Sequence, residues 1–269
     1  QKGMKVEGYD QRKSYITNQL EQDGVKVYFD INNFKFSPNI LYIYSSAVPI
    51  NNTFLENNLN SHNVQSRAEF LKQLSLENKV IGITGTHGKT STTALIAHIF
   101  HHNNIDVSYI FGGSTSFHGI GGHYGKKDLP IILEVDEAYN TFKDIKIDDL
   151  LVTNIDEDHL DYFGTFENLT NAFKKVILNV KNNLVLNYDD QNINNLMIEI
   201  EHTRYSSEAG AEYKINYPDK IMNSGKEYKI VSNLIGSHFV SNITGAIAIA
   251  SLNGIEIEES IDAIKSFPG

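Results

Sequence analysis

Val80–Ile81–Gly82–Ile83–Thr84–Gly85–Thr86–His87–Gly88–Lys89–Thr90–Ser91 is the stretch on which the reading of this chain turns. Val80 to Thr84 is a short apolar run with strand character. Gly85 to Ser91 is a glycine-bounded turn, and from Thr90 to His101 the apolar spacing predicts a helix. Strand, glycine loop and helix in that order form the context of a phosphate-binding loop. Glycines let backbone N–H groups turn toward phosphate oxygens, and the helix N-terminus adds favourable dipole charge. Lys89 is placed to neutralise β and γ oxygens. Thr90 offers a hydroxyl to Mg²⁺, an ion that takes oxygen ligands and keeps waters. The common form of this loop has a glycine five residues before Gly88, where Ile83 stands, so the loop is of a shorter kind. By itself it does not separate an ATPase, a GTPase, a kinase or a ligase.

Outward from the loop, strands are expected at Val107–Ile110, Pro130–Glu134, Leu150–Thr153 and Leu184–Leu186, with a helix at Phe166–Leu178. Alternation at Tyr213, Ile215 and Tyr217, then at Tyr228 and Ile230, predicts antiparallel strands between about 205 and 232. Helices at Val240–Leu252 and Glu258–Ser266 close the chain. Before the loop, a helix at Ser14–Asp23 is ended by Gly24, and Val25, Val27 and Phe29 alternate as a strand. Ile40–Tyr44 is a second strand, and Val64 falls between helices at Asn52–Ser61 and Arg67–Leu76. Strands separated by helices imply a parallel sheet. The polar stretch Leu76–Lys79 sets the expected division: residues 1–76 as one α/β domain and 77–269 as a second.

The composition excludes several classes. With 41% hydrophobic and 21% charged residues, the chain can build a core and is not a disordered one. Lys and Arg total 23 against 33 Asp and Glu, a formal charge of -10, which argues against wrapping nucleic acid or an anionic membrane. Cysteine is absent, so disulfides, thiolate catalysis and cysteine-ligated metals are ruled out. No run approaches the roughly 18 apolar residues of a membrane span, and no signal-peptide pattern opens the sequence, so a cytoplasmic location is expected.

Two further strand ends carry polar residues where open α/β sheets place ligands. Ile131–Ile132–Leu133 runs into Glu134–Val135–Asp136–Glu137, and Leu151–Val152 runs into Thr153–Asn154–Ile155–Asp156–Glu157–Asp158–His159–Leu160–Asp161. Carboxylates at a strand terminus suit a divalent cation, with an imidazole a less common ligand; the same residues could equally be solvated loops. Glu134 sits closest to the ordering strand. Gly112–Gly113–Ser114 and His118–Gly119–Ile120–Gly121–Gly122–His123 form a glycine-rich stretch, either a substrate loop or a plain surface loop. His101, His102 and His202 have no such context and are expected at the surface.

Taken in order, these segments resemble the Mur ligase family. Gly85–Thr90 is similar to its ATP loop, and Glu134–Glu137 to its Glu-Ala-Asp-Glu motif. Thr153–Asp161 is similar to Thr-Asn-Ile-Glu-x-Asp-His-x-Asp, and Gly236–Asn242 to Gly-x-His-Asn-x-x-Asn. Tyr44–Val48 and Arg67–Ala68–Glu69 resemble the alanine-adding branch. Ala138 and Tyr139 replace a serine and an aspartate of the acidic motif, and Phe239 replaces an asparagine.

The resemblance implies an incomplete Rossmann-like N-terminal domain followed by a P-loop-type central ATPase domain. That second domain would have a parallel sheet and a small antiparallel part, and the C-terminal domain would lie outside the chain. It implies ATP-dependent joining of L-alanine to the carboxylate of UDP-N-acetylmuramate through an acyl phosphate, with ATP and Mg²⁺ as cofactors. Gly85, Thr86, His87, Gly88, Lys89, Thr90 and Ser91 would hold the phosphates. Lys89, Glu134 and His159 would be catalytic, with Thr90, Glu134 and His159 as metal ligands and Asn154 nearby. His238 and Asn242 would contact adenine, and Ser45, Ser46 and His118 the substrate. Attachment of a preformed peptide to the same sugar, and a non-catalytic nucleotide-binding module, are the alternatives.

Overall fold

The computed structural model describes residues 3–33, 37–45, 48, 53–58, 61, 63–234 and 236–268. The chain divides into two compact units, Gln1–Leu74 and Ser75–Gly269.

In the first unit, β1 (Glu7–Tyr9) connects through α1 (Tyr15–Gln22) to β2 (Lys26–Tyr28), and the two strands pair in parallel. Ser14 starts the helix with a capping box. Its Oγ accepts from the Thr17 backbone N–H at 3.2 Å, and Thr17 Oγ1 accepts from Ser14 N–H at 2.8 Å. Gly24, at φ +86°, takes the left-handed turn that leads out of it. A second parallel pair joins β3 (Tyr42–Tyr44) to β4 (Val64–Ser66) across α2 (Thr53–Asn58), and α3 (Arg67–Glu77) follows. The sequence implied one sheet for this region; the described residues form two separate pairs. Of the helix expected at Asn52–Ser61, residues 52, 59 and 60 lie outside the described residues.

The second unit is organised by β5 (Val80–Thr84), every residue of which is buried. From it the chain runs through α4 (Lys89–His102), β6 (Ser108–Ile110), β7 (Gly122–His123) and β8 (Ile131–Glu134), then a 3₁₀ segment, Ala138–Asp144. Next come β9 (Asp149–Val152), α5 (Leu160–Phe163), α6 (Phe166–Leu178), β10 (Leu184–Asn187) and α7 (Gln191–Asn195). The last strands are β11 (Thr203–Ser206), β12 (Tyr213–Asn216), β13 (Lys220–Asn223) and β14 (Lys226–Lys229), closed by α8 (Ser237–Leu252) and α9 (Ile257–Lys265). The sheet order is β14-β13-β12-β11-β10-β9-β5-β8-β6-β7, parallel from β12 to β6. β13, β14 and β7 are antiparallel. The antiparallel expectation for 205–232 thus holds for the β12–β13 and β13–β14 pairings and fails only where β12 meets β11. β11 and β12 pair in parallel, the six residues 207–212 between them replacing the tight two-residue turn of an antiparallel hairpin.

Continuous apolar strands arise because both faces of the sheet are covered. Ile81, Ile83, Ile132, Leu151 and Val185 join one core with Leu95 and Ile99 of α4 and Ile243 and Ile247 of α8. On the opposite side Phe142 of the 3₁₀ segment meets Phe173 of α6 edge-on at 5.1 Å, both buried. Each such side chain contributes about 1.5–3 kcal/mol on leaving water. Two polar ties pin this frame. Asp149, fully buried at the start of β9, forms an ion pair with Lys79, whose Nζ lies 2.8 Å from Oδ2, and its Oδ1 accepts from Asn183 Nδ2 at 2.7 Å. His98 joins α4 to α9, its Nε2 lying 3.0 Å from both Ala263 O and Ser266 Oγ. Burial holds its imidazole below the ordinary histidine value. Among the described residues no helix is long and apolar enough to cross a membrane.

Candidate active site

β8, β5 and β9 are neighbours and parallel, so their carboxyl ends deliver three loops to one edge of the sheet, where open α/β sheets place ligands. The loop after β5 is Gly85–Gly88. Gly85 lies at φ +135° and Gly88 at φ +81°, conformations that side chains with a Cβ rarely adopt. A Cβ on Gly85 would overlap Thr153 Oγ1 and stand 2.8 Å from the Asn154 carbonyl oxygen. The loop after β9 therefore acts as the floor of the loop after β5.

Hydrogen bonds make that floor specific. Thr86 N–H donates to Asn154 O at 3.0 Å. The Asn154 side chain clamps His87 from both sides, accepting from its N–H and donating to its carbonyl, each at 2.8 Å. Thr153 Oγ1 donates to His87 O at 2.7 Å, and Thr86 Oγ1 accepts from Asp156 N–H at 2.8 Å. The His87 ring is exposed, 3.6 Å from Asp156. Asn154, expected beside metal and substrate, thus props the phosphate loop through three backbone groups. Thr153 and Asp156 share that work and were not singled out from sequence, because their partners lie about 70 residues away.

Lys89 opens α4 and points back over the loop. Its Nζ donates to Gly85 O at 2.7 Å, and to both oxygens of Glu137 at 2.8 and 3.0 Å, with Asp136 at 4.0 Å. Glu137 is fully buried. Burial pushes its carboxyl above the ordinary value, and Lys89 opposes that shift. Thr90 Oγ1 donates to Glu134 at 2.8 Å, and the other Glu134 oxygen accepts from Gly112 N–H at 2.8 Å. Ser91 is exposed on the first turn of α4.

The sequence paired Glu134 with His159. In the structure Glu134 bonds Thr90, and the ligand atoms of His159, Asp136 and Glu137 lie within 4.8 Å of one another. His159 lies at φ +52°, held at the start of α5 as its carbonyl accepts from Tyr162 and Phe163 N–H. Carboxylate, hydroxyl and imidazole donors of this kind fit a hard divalent cation such as Mg²⁺. Asp136 and Glu137 carried the motif but no assigned role; their strand-end position was the available signal.

At the other side of the loop, α8 brings Asn242 against Gly88, where a Cβ would stand 2.9 Å from Asn242 Nδ2. His238, four residues earlier and so on the same side of the helix, is exposed, its ring 4.2 Å from that of Phe239. Both residues expected at adenine thus lie at the α8 end that adjoins the loop. His118 is placed elsewhere: Nδ1 is 2.6 Å from Tyr109 Oη, and the ring stacks on His123 at 3.9 Å. Burial, then His123 and His101, lowers its pKa, and burial pushes the Tyr109 hydroxyl up to about 12. None of its described contacts is with the phosphate loop. Ser45 is exposed just after β3, and Ser46 lies outside the described residues. His101, expected at the surface, is exposed but stacks on Phe117 at 4.2 Å, and His102 is exposed. His202 is only half-exposed and bonds the Tyr188 hydroxyl at 2.8 Å.

Comparison with known proteins agrees with this geometry. The profile described as Mur ligase middle domain matches residues 83–250, and the one described as Mur ligase family, catalytic domain, matches 1–79. The chain belongs to the Mur ligase family. Among Mur ligases, the UDP-N-acetylmuramate–L-alanine ligase of Dictyoglomus turgidum is 29% identical over 285 residues, covering 100% of this chain and 61% of that protein. The structure of the Thermotoga maritima UDP-N-acetylmuramate–alanine ligase matches with a TM-score of 0.83 at 23% identity, over 98% of this chain and 63% of that one. That of the Neisseria meningitides UDP-N-acetylmuramate:L-alanyl-γ-D-glutamyl-meso-diaminopimelate ligase gives 0.85 at 20% identity, over 100% and 92%. The chain thus spans about three-fifths of the length of the curated Mur ligase relatives it matches. The two structural likenesses establish the Mur ligase fold.

Proposed function

We propose that this chain is the ATP-handling part of a ligase that joins L-alanine to the carboxylate of UDP-N-acetylmuramate. The observation that carries the reading is Lys89, poised over a glycine loop at three strand ends with carboxylates and an imidazole around it. The named relatives support the substrate pair. Residues 1–76 would serve the sugar nucleotide, with Ser45 and Ser46, and 77–269 the ATP.

In this reading the substrate carboxylate attacks the γ-phosphorus of ATP, forming an acyl phosphate and releasing ADP. The alanine amine then attacks the acyl carbon, loses a proton, and expels phosphate. The Gly85–Gly88 backbone and Lys89 hold the β and γ oxygens, and Lys89 offsets charge developing on the transferred phosphoryl group. Mg²⁺, when bound, would screen the repulsion between carboxylate and phosphate. Thr90 with Glu134, and His159 with Asp136 and Glu137, are the residues that would hold it. Asn154 keeps the loop in register, while His238 and Asn242 border the adenine side and His118 is assigned to the substrate. ATP and sugar nucleotides make the cytoplasm the compartment of this reading.

The test is phosphate release from ATP by the full-length protein that carries this chain. Release should require UDP-N-acetylmuramate and rise further with L-alanine. Release that ignores the sugar nucleotide points to a plain ATPase, and none at all to a non-catalytic module. Stimulation by a preformed peptide but not by alanine would reassign the amine.

A further inference from the structure

Lys89 is the cation expected to grip nucleotide phosphates, yet here it is fully engaged. Glu137 receives it on both oxygens at 2.8 and 3.0 Å, and the carbonyls of Gly85 and Thr86 take its remaining hydrogen bonds. The same Glu137 is also one of three residues, with Asp136 and His159, whose potential ligand atoms lie within 4.8 Å of one another. One carboxylate therefore has two competing partners. It cannot keep both, because an ammonium 2.8 Å away and a divalent cation on the same oxygens would repel each other strongly at reduced dielectric.

Burial sets the direction of the exchange. The Glu137 side chain has no exposure to solvent and Lys89 has little. If Lys89 swings to a phosphate alone, Glu137 is left as a buried carboxylate without a counter-charge, a costly arrangement. If a cation arrives alone, it meets Lys89 already in place. If phosphate and cation arrive together, both charges are matched at once. Resting on the nucleotide reading above, we infer that Glu137 is a positioning residue that parks Lys89 in the nucleotide-free protein. It surrenders the lysine to phosphate only as it takes the divalent cation with Asp136 and His159. Glu137 thereby couples the two ligands thermodynamically.

Glu134 does not serve this role, since its oxygens are committed to the Thr90 hydroxyl and the Gly112 amide. The exposed Asp136 contributes at longer range, 4.0 Å from Lys89.

The experiment is calorimetric titration of the chain with ATP, once in EDTA and once in excess Mg²⁺, with AMP as a ligand that cannot reach Lys89. In the wild-type chain Mg²⁺ should strengthen ATP binding by tenfold or more. Glu137→Gln should tighten metal-free ATP binding and shrink that advantage by about tenfold, which is about 1.4 kcal/mol of coupling. AMP affinity should stay the same in both proteins, which also reports that the variant is folded. Asp136→Asn, at an exposed position, should shrink the advantage about threefold. An unchanged Mg²⁺ advantage in either variant would overturn the inference, as would weaker metal-free ATP binding in Glu137→Gln. No ATP binding to the wild-type chain would overturn the nucleotide reading as well; normal binding with unchanged coupling would overturn this inference alone.

Discussion

Gly85→Ala puts the architecture of the phosphate loop to a quantitative test. Three costs add at this position. The backbone sits at φ +135°, a region nearly confined to glycine, and holding alanine there costs about 1–3 kcal/mol. The new methyl overlaps Thr153 Oγ1, whose displacement gives up its bonds to the carbonyls of His87 at 2.7 Å and Thr84 at 3.3 Å, about 1 kcal/mol each. The Asn154 carbonyl, 2.8 Å from the methyl, is backbone that also receives the Thr86 N–H, so it cannot retreat without opening the loop. Together these give a destabilisation on the order of 3–5 kcal/mol. Urea unfolding measures it directly. Gly122→Ala is the matched control, since a Cβ there meets nothing within 4 Å and φ is ordinary; it should change stability by less than about 1 kcal/mol. Gly85→Ala within 1 kcal/mol of wild type would refute the argument that Thr153 and Asn154 form a rigid floor.

Two further outcomes follow from polar groups in the frame. Lys79→Met should destabilise the second unit by about 1–3 kcal/mol in urea unfolding, because Asp149 stays fully buried without its cation while Lys79 itself is partly exposed; no measurable loss would mean that Asn183 alone satisfies Asp149. His98, whose pKa is lowered by burial, binds its proton more weakly in the fold than in the unfolded chain. Its contribution is therefore intact above the unfolded value near 6.5 and is lost as pH falls below it. Unfolding free energy should decline from about pH 7 toward pH 5, and His98→Gln should flatten part of that slope; an identical slope in the variant would contradict this.

How much of this was legible in the sequence depended on the range of the interaction. Val80–Thr84 reads as a strand doubly covered, and Gly85–Thr90 reads as its loop, because the signals are local and contiguous. Helix α6 falls at Phe166–Leu178 as its spacing predicts, with Thr165 accepting from Asn168 N–H as its cap. β1 escaped because Glu7–Gly8–Tyr9 is three residues without alternation, and its pairing with β2 is its support. The grouping of the acidic residues escaped for a different reason. The chain turns after β8 into the 3₁₀ segment, and that turn carries Glu137 toward Lys89 and His159 while Glu134 stays on the strand beside Thr90. No local pattern in Glu134–Glu137 encodes which carboxylate faces which partner. Asn242 was flagged by resemblance, but its place against Gly88 depends on how α8 packs on α4.

In the proposed function the Gly85–Ser91 loop and Lys89 hold the β and γ phosphates of a nucleotide. Comparing ATP, ADP and AMP affinities for this chain in Mg²⁺ by calorimetry tests it most directly. ATP and ADP should bind at least about thirtyfold more tightly than AMP, since charge-assisted hydrogen bonds to the outer phosphates are each worth about 1.5–3 kcal/mol. Equal affinity for all three nucleotides would contradict it.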